Sequence, residues 1–168
     1  MKYANTMMKF LLIIVLIMAI STTAKGYQVP TGETYIDWDY MVMCDEIGEM
    51  YSICPELLEA MIERESGGRC DVAVSDCVGL MGVSKKWNVD RMARLGVKDL
   101  LDPYSNILVG ADILYELITI DCDGDVGAAL MKYHGESDWR QKYAAGLLSH
   151  YAEDILKRSE DLERIHGK

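Results

Sequence analysis

Basic residues are scarce in this 168-residue chain, in which 17 lysines and arginines stand against 27 aspartates and glutamates. The formal net charge at pH 7 is therefore −10. Nucleic-acid phosphates and anionic lipid surfaces are bound by clustered Lys and Arg side chains. The shortage argues against nucleic acid and anionic membrane surfaces as partners, and it identifies no partner by itself.

Metal-binding patterns are also missing. The chain has five cysteines and three histidines, but no two cysteines have the two-residue spacing of a zinc knuckle and the histidines follow no ligand pattern. Residues 121–125 (Asp-Cys-Asp-Gly-Asp) resemble the start of a calcium loop, but the later ligands and the bidentate Glu are absent. We read this segment as a turn between helices and expect neither a metal nor another cofactor.

No strand-like alternation of convincing length, no repeat and no low-complexity linker occurs in the chain. Apolar residues instead recur at helical spacing, and prolines and glycines mark helix ends. The sequence predicts a mainly α fold in a single compact domain, with an irregular stretch at residues 67–86. The predicted helices cover residues 35–51, 55–66, 88–95, 103–118, 126–134 and 143–164, the last becoming charge-rich and solvated.

The N-terminus has the three-part layout of a secretory signal peptide at residues 1–24. Lys2 and Lys9 precede an unbroken apolar stretch at residues 10–20, and small residues end at Ala24, where cleavage is expected. The apolar stretch is short for a membrane span, so a retained anchor is the weaker alternative. We therefore expect an exported protein that touches a membrane only if the signal is not cleaved. A lead-in at residues 25–37 would follow the signal.

All five cysteines lie after residue 24, a number that allows two disulfides and one free thiol in an exported protein. Cys70 and Cys77 flank a short loop and are the best candidates for a bridge.

The most informative segment is the predicted helix at residues 55–66, which two glycines follow. Its apolar arc consists of Leu57, Leu58, Met61 and Ile62. Glu65 projects into the middle of that arc, whereas Glu59 and Glu63 are predicted to face solvent. A carboxyl group held among apolar neighbours favours its protonated form and can act as a general acid. The alternative is that Glu65 lies in solvent at the frayed helix end.

Motifs along residues 38–157 resemble those of the soluble lytic transglycosylases, which are related to goose-type lysozyme. Each motif is weak alone, but their shared order and approximate spacing are specific. They are Glu65-Ser66, Ala73-Val74-Ser75, Gly79-Leu80-Met81, Asp102-Pro103 with Asn106-Ile107 and Gly110, and Tyr133-His134-Gly135. The resemblance implies a lysozyme-like helical catalytic domain at residues 38–157, which leaves residues 158–168 as a charged helix end.

The resemblance also implies a function. In this family a single glutamate, here Glu65, cleaves peptidoglycan between N-acetylmuramic acid and N-acetylglucosamine and leaves 1,6-anhydro ends. Ser75 resembles a loop serine near the carboxylate, Met81 belongs to a motif of the substrate cleft, and Tyr133 and Tyr151 resemble tyrosines that face Glu65. Either tyrosine could instead be a core residue. For Tyr133 we predict a hydrogen bond from its hydroxyl to Glu65.

Some positions depart from the family pattern. Gly82 stands where a sugar-contacting Gln is usual, His134 replaces an Asn, and the loop between Ser75 and Gly79 is short.

Three interpretations remain open: a lytic transglycosylase, a muramidase that uses water, and a wall-binding or assembly protein that does not cleave. Peptidoglycan strands are the expected partner at an extracytoplasmic, wall-associated location, with a secretion or conjugation apparatus as a further candidate.

Overall fold

The structure is a computed structural model that describes residues 36–168. The predicted signal peptide and nearly all of the predicted lead-in lie outside the described residues. The described part is mainly helical, as the sequence predicts, and belongs to one compact unit. No helix within it is long and apolar enough to cross a bilayer.

Seven α-helices follow one another in the described residues. They are α1 (Trp38–Tyr51), α2 (Pro55–Ser66), α3 (Val89–Leu95), α4 (Pro103–Glu116), α5 (Val126–Tyr133), α6 (Trp139–Ala144) and α7 (His150–His166). A π-helical segment, Leu117–Asp121, continues α4, and the acidic segment after it is a turn, as predicted.

Side-chain caps fix where several of these helices begin. The Asp102 carboxylate accepts a hydrogen bond from the Ser105 amide, and Pro103 occupies the first turn of α4. Asp125 caps α5 in the same way, and Ser149 caps α7. Each cap pairs an amide that has no partner within its helix. At the other end of α2, Gly67 adopts a left-handed conformation that stops the helix.

The core forms around α2, which packs against α1 and α7. Leu58, Met61 and Ile62 of the predicted apolar arc are completely buried. The opposite side of α2 is not solvated, because α7 covers it. Glu59 is only 1% exposed and Glu63 forms an ion pair with Arg158 of α7. The prediction that Glu59 and Glu63 face solvent is therefore wrong.

Two further predictions about the backbone need correction. Residues 67–86 contain a small antiparallel sheet in the order β1-β2-β3, formed by β1 (Ala73–Val74), β2 (Cys77–Val78) and β3 (Val83–Ser84). Two-residue strands are too short to show alternation in a sequence. The predicted helix at residues 143–164 is in fact split into α6 and α7, which are separated by a turn containing Gly146 at φ +67°.

The five cysteines are all free thiols, so the predicted Cys70–Cys77 bridge is not formed. Cys77 lies exposed on β2. The Cys70 thiol instead contacts the Tyr40 hydroxyl, and their hydrogen bond raises the pKa of Tyr40 to about 12.

A buried ion pair joins α3 to α4. The Asp112 carboxylate is 6% exposed and pairs with Arg91 and with Arg94, at 2.7 Å from Arg94 Nη2. The Tyr51 hydroxyl donates to the same carboxylate at 2.9 Å. Burial alone would raise the pKa of Asp112, but the hydrogen bonds from these donors outweigh it and lower the pKa.

Candidate active site

Glu65 lies in the last turn of α2 and is half-buried. Its Oε1 accepts a hydrogen bond from the Tyr151 hydroxyl of α7. The two residues are 86 positions apart in the chain, and the packing of α7 on α2 brings them together. Glu65 is therefore held in the structure, and the alternative of a frayed, solvated side chain does not apply.

The second carboxylate oxygen of Glu65 lies beside the backbone of Gly82. A Cβ atom added at Gly82 would stand 2.9 Å from Glu65 Oε2, closer than atoms in ordinary contact. Gly82 also has φ +60°, a backbone conformation that residues other than glycine rarely adopt. The glycine that departs from the family pattern therefore allows the loop backbone to approach the acid closely.

Asn106 of α4 holds the loop that brings Gly82 to Glu65. Its Oδ1 accepts from the Met81 amide at 2.8 Å, and its Nδ2 donates to the carbonyls of Val78 at 2.9 Å and Leu100 at 2.7 Å. Asn106 is completely buried, so these three bonds satisfy an amide that water cannot reach. The sequence marked Asn106 as a landmark but gave it no role.

Met81 and Tyr133 take positions that differ from the prediction. The Met81 side chain is 0% exposed and packs at Gly110, where an added Cβ would lie 2.5 Å from its sulfur. Substrate contact by the Met81 side chain is therefore not supported. The Tyr133 hydroxyl donates to the Met81 carbonyl at 2.9 Å and not to Glu65. The predicted hydrogen bond to Glu65 comes from Tyr151.

Both tyrosines are kept protonated by their surroundings. Burial first, and then the negative charge of Glu65, raise the pKa of the Tyr151 phenol well above its usual range, and the same two causes raise the pKa of Tyr133. Tyr151 therefore remains a hydrogen-bond donor at every pH at which the protein would work.

Aromatic and cationic groups surround Tyr151. The His134 ring stacks on it with centroids 4.1 Å apart and an angle of 7° between the planes, and the Arg64 guanidinium lies 5.8 Å from its centroid. A groove of about 510 Å³ opens on this side of Tyr151. Glu136 also lines the groove and pairs with Lys142 at 2.6 Å. The groove reaches Tyr151, which holds Glu65, and both polar and apolar side chains line it. An open groove of this kind suits an extended, hydrogen-bonding polymer.

Ser75 is placed apart from these contacts. It lies exposed in the turn between β1 and β2, at φ +57°. Within residues 36–168 no hydrogen bond joins it to Glu65. A role for Ser75 at the site stays a prediction.

A comparison with protein families matches residues 43–146 to the transglycosylase SLT domain. The match covers more than half of the chain and includes Glu65, the Gly82 loop and Asn106. The chain belongs to the transglycosylase SLT domain family. Membership implies a lytic transglycosylase-like activity on peptidoglycan. A search of curated proteins gave no match.

Helix α7 lies beyond the residues that the SLT family model matches, although it carries the Tyr151 hydroxyl that holds Glu65. Helical spacing cannot show which of two tyrosines reaches a distant carboxylate. Choosing Tyr151 over Tyr133 requires the tertiary arrangement of α2, α5 and α7.

Proposed function

We propose that this protein is an exported lytic transglycosylase that cleaves the β-1,4 bond between N-acetylmuramic acid and N-acetylglucosamine in peptidoglycan. Glu65 acts as the only acid and base, and the products carry 1,6-anhydromuramyl ends. The observation that carries the proposal is the setting of Glu65. One carboxylate oxygen is fixed by Tyr151 and the other is approached by the Gly82 backbone.

The chemistry requires two proton transfers at one carboxyl group. Protonated Glu65 gives its proton to the glycosidic oxygen while the bond from that oxygen to C1 of the muramyl residue breaks. The muramyl 6-hydroxyl oxygen then bonds to C1, and its proton returns to Glu65. The carboxyl group ends in its starting state, and neither water nor a second carboxylate is consumed.

Neighbouring residues would support these transfers without exchanging protons themselves. Tyr151 fixes the rotamer of Glu65 through a hydrogen bond that persists because its phenol stays protonated. Tyr133 anchors the Met81 carbonyl and so positions the adjoining Gly82. Ser75 would polarise the acetamido group of the sugar if substrate draws the β1–β2 turn towards the acid.

A hydrolytic muramidase is the second candidate, and Glu136 is the observation that favours it. Glu136 lines the same groove as Tyr151. Burial would raise its pKa, but the hydrogen bond from Lys142 and others outweigh burial, lower the pKa and keep the group ionised. An ionised carboxylate beside the cleft could activate a water molecule as a second catalytic group. Glu136→Gln would then abolish cleavage, whereas a transglycosylase that uses only Glu65 would retain it.

The place of action follows from the same proposal. A peptidoglycan substrate, a signal-like N-terminus and an excess of acidic residues all fit an extracytoplasmic, wall-associated enzyme. A secretion or conjugation apparatus that needs a local gap in the wall is the partner we propose besides the glycan strands.

Mass analysis of muropeptides after digestion of purified peptidoglycan tests the function. The parent protein should release 1,6-anhydro ends, and Glu65→Gln should lower the rate by about 10²–10⁴-fold without loss of fold, because only the proton donor is removed. The control is Glu49→Gln, at an exposed glutamate of α1, which should cleave like the parent. Glu63→Gln is unsuitable because Glu63 pairs with Arg158.

Each other outcome contradicts part of the proposal. Reducing ends from the parent protein would establish a muramidase. Absence of any product, with binding to intact wall, would establish a protein that does not cleave. Full activity of Glu65→Gln would remove Glu65 from the chemistry.

A further inference from the structure

A second cluster of ionisable groups lies between α2 and α7, away from the Glu65 carboxylate. Glu56 and Glu59 stand one turn apart on α2, a spacing that places both side chains on one face. His166 reaches them from the last turn of α7, 110 positions from Glu56. The three side chains can bring one ligand atom each to within 4.8 Å of one another, and all three are at least nine-tenths buried.

Glu56 is fully engaged within this cluster. Its Oε1 accepts from His166 Nδ1 at 2.8 Å and from Lys168 Nζ at 2.6 Å. Its Oε2 accepts from the Cys54 thiol at 3.0 Å. Burial opposes the charge of Glu56, but these hydrogen bonds outweigh it and lower its pKa to about 2. Glu56 is therefore an ionised group that orients the imidazole ring.

Two atoms of the cluster are left without a partner. Glu59 Oε2 and His166 Nε2 are both buried, and neither has a hydrogen bond. Buried polar atoms in native proteins nearly always have a partner, so two such atoms facing each other require an explanation. They are 3.8 Å apart, too far for a direct hydrogen bond.

The distance between the two atoms is close to that between two ligands of one metal ion. Zinc–nitrogen and zinc–oxygen bonds are each about 2.0–2.2 Å long, so two ligands at corners of a tetrahedron lie about 3.3–3.6 Å apart. The observed 3.8 Å exceeds this by only a few tenths of an ångström. Because the ionised Glu56 accepts from Nδ1–H, His166 Nε2 carries a lone pair, and Glu59 Oε2 lies 3.8 Å from that nitrogen. A carboxylate behind a histidine in this way is the usual second partner of a metal-bound imidazole.

We propose that Glu59 Oε2 and His166 Nε2 bind a divalent transition-metal ion of the Zn²⁺ type, with Glu56 orienting the His166 ring. The nearby Asp45 adds negative charge, and Lys168 is the cation that pairs with Glu56. An imidazole ligand favours transition metals over Mg²⁺ and Ca²⁺, which prefer oxygen ligands alone. The bound ion would join α2, which carries Glu65, to α7, which carries Tyr151.

Thermal unfolding of the full chain, freed of metal by a chelator and kept reduced, tests this proposal with Zn²⁺ as the probe. At free Zn²⁺ about 100-fold above the dissociation constant, the midpoint should rise by roughly 5–10 °C. Mg²⁺ and Ca²⁺ at the same concentration should not raise it. Calorimetric titration should give one Zn²⁺ per chain.

Matched variants separate this site from adventitious binding. Glu59→Gln and His166→Gln should abolish the response to Zn²⁺, and Glu56→Gln should weaken affinity by about 10–100-fold because only the orienting group is lost. His150→Gln, at a fully exposed histidine of the same helix, and Cys77→Ser, at an exposed cysteine outside the cluster, should bind like the parent.

Glu59→Gln is the decisive variant because it keeps the side-chain shape and removes a buried carboxyl group, so it should fold. A parent protein that does not respond to Zn²⁺ would overturn the proposal. A folded Glu59→Gln protein that responds like the parent would also overturn it, since the ion would then bind elsewhere.

Discussion

The close approach of Gly82 to Glu65 leads to a sharp prediction for Gly82→Ala. The new methyl group would lie 2.9 Å from Glu65 Oε2, compared with about 3.5–4.0 Å for an ordinary contact. The loop cannot retreat freely, because Asn106 holds the preceding Met81 amide at 2.8 Å. The Glu65 carboxylate is therefore the group that moves, and the hydrogen bond from Tyr151 is distorted.

Two costs follow, and they affect different measurements. A side chain at φ +60° costs about 1–2 kcal/mol of folding free energy wherever it occurs. A displacement of about 1 Å at a catalytic group can lower the rate about 10²-fold. Gly82→Ala should therefore lose about 100-fold in the rate of peptidoglycan cleavage and only a few degrees in unfolding temperature.

Gly96→Ala is a matched control for the backbone strain. Gly96 has φ +71° and caps α3, and a Cβ atom added there meets nothing within 4 Å. This variant should lose similar stability and keep its activity. Rates of product release from labelled peptidoglycan and thermal unfolding of both variants decide the question. Equal activity of Gly82→Ala and Gly96→Ala would refute the argument that cleavage requires glycine at position 82 because the backbone there lies so close to Glu65.

Three further variants test the two tyrosine hydrogen bonds at the site and the buried ion pair of Asp112. Tyr151→Phe removes a hydrogen bond to a charged group, worth about 1.5–3 kcal/mol, so we expect a roughly 10–150-fold slower cleavage with little loss of fold. Tyr133→Phe removes a neutral bond to a backbone carbonyl and should cost only about 1 kcal/mol, so equal rates for the two variants would contradict the assignment of the Glu65 partner to Tyr151. Asp112→Asn should lower the free energy of unfolding by about 3 kcal/mol at pH 7, because two arginines and a tyrosine lose their ionised partner. Since the folded-state pKa of Asp112 is lowered, this difference should be full above about pH 4 and shrink as the pH falls further, and denaturant titrations at several pH values measure it.

Local signals were sufficient for much of the fold. Pro55 and Gly67 mark the two ends of α2, and Asp102-Pro103 marks the start of α4, because capping and backbone restriction act over a few residues. Helical spacing predicted that Glu65 projects into the apolar arc of α2, and in the structure its carboxylate contacts the Tyr151 hydroxyl and lies beside Gly82. The sequence also identified the family that the comparison with known domains confirms.

Contacts between distant segments were the source of the errors. The helical spacing of apolar residues in α2 correctly separates its apolar arc from the face that carries Glu59 and Glu63. Such spacing cannot show whether another helix covers that face. The charged residues of α7 suggested a solvated helix, whereas Arg158 pairs with Glu63 and His166 with Glu56. Charge was mistaken for exposure because the partners of these charges lie about a hundred residues away.

The same arrangement makes α7 more than a cover for the core. At one end of the α2–α7 contact, the Tyr151 hydroxyl holds Glu65, and at the other end His166 faces Glu59. The Arg158–Glu63 ion pair lies between them. We expect a change that loosens any of these three contacts to shift α7 along α2 and so to displace the Tyr151 hydroxyl that holds the acid. Substitutions in α7 should therefore affect the rate of cleavage more than their distance from Glu65 suggests.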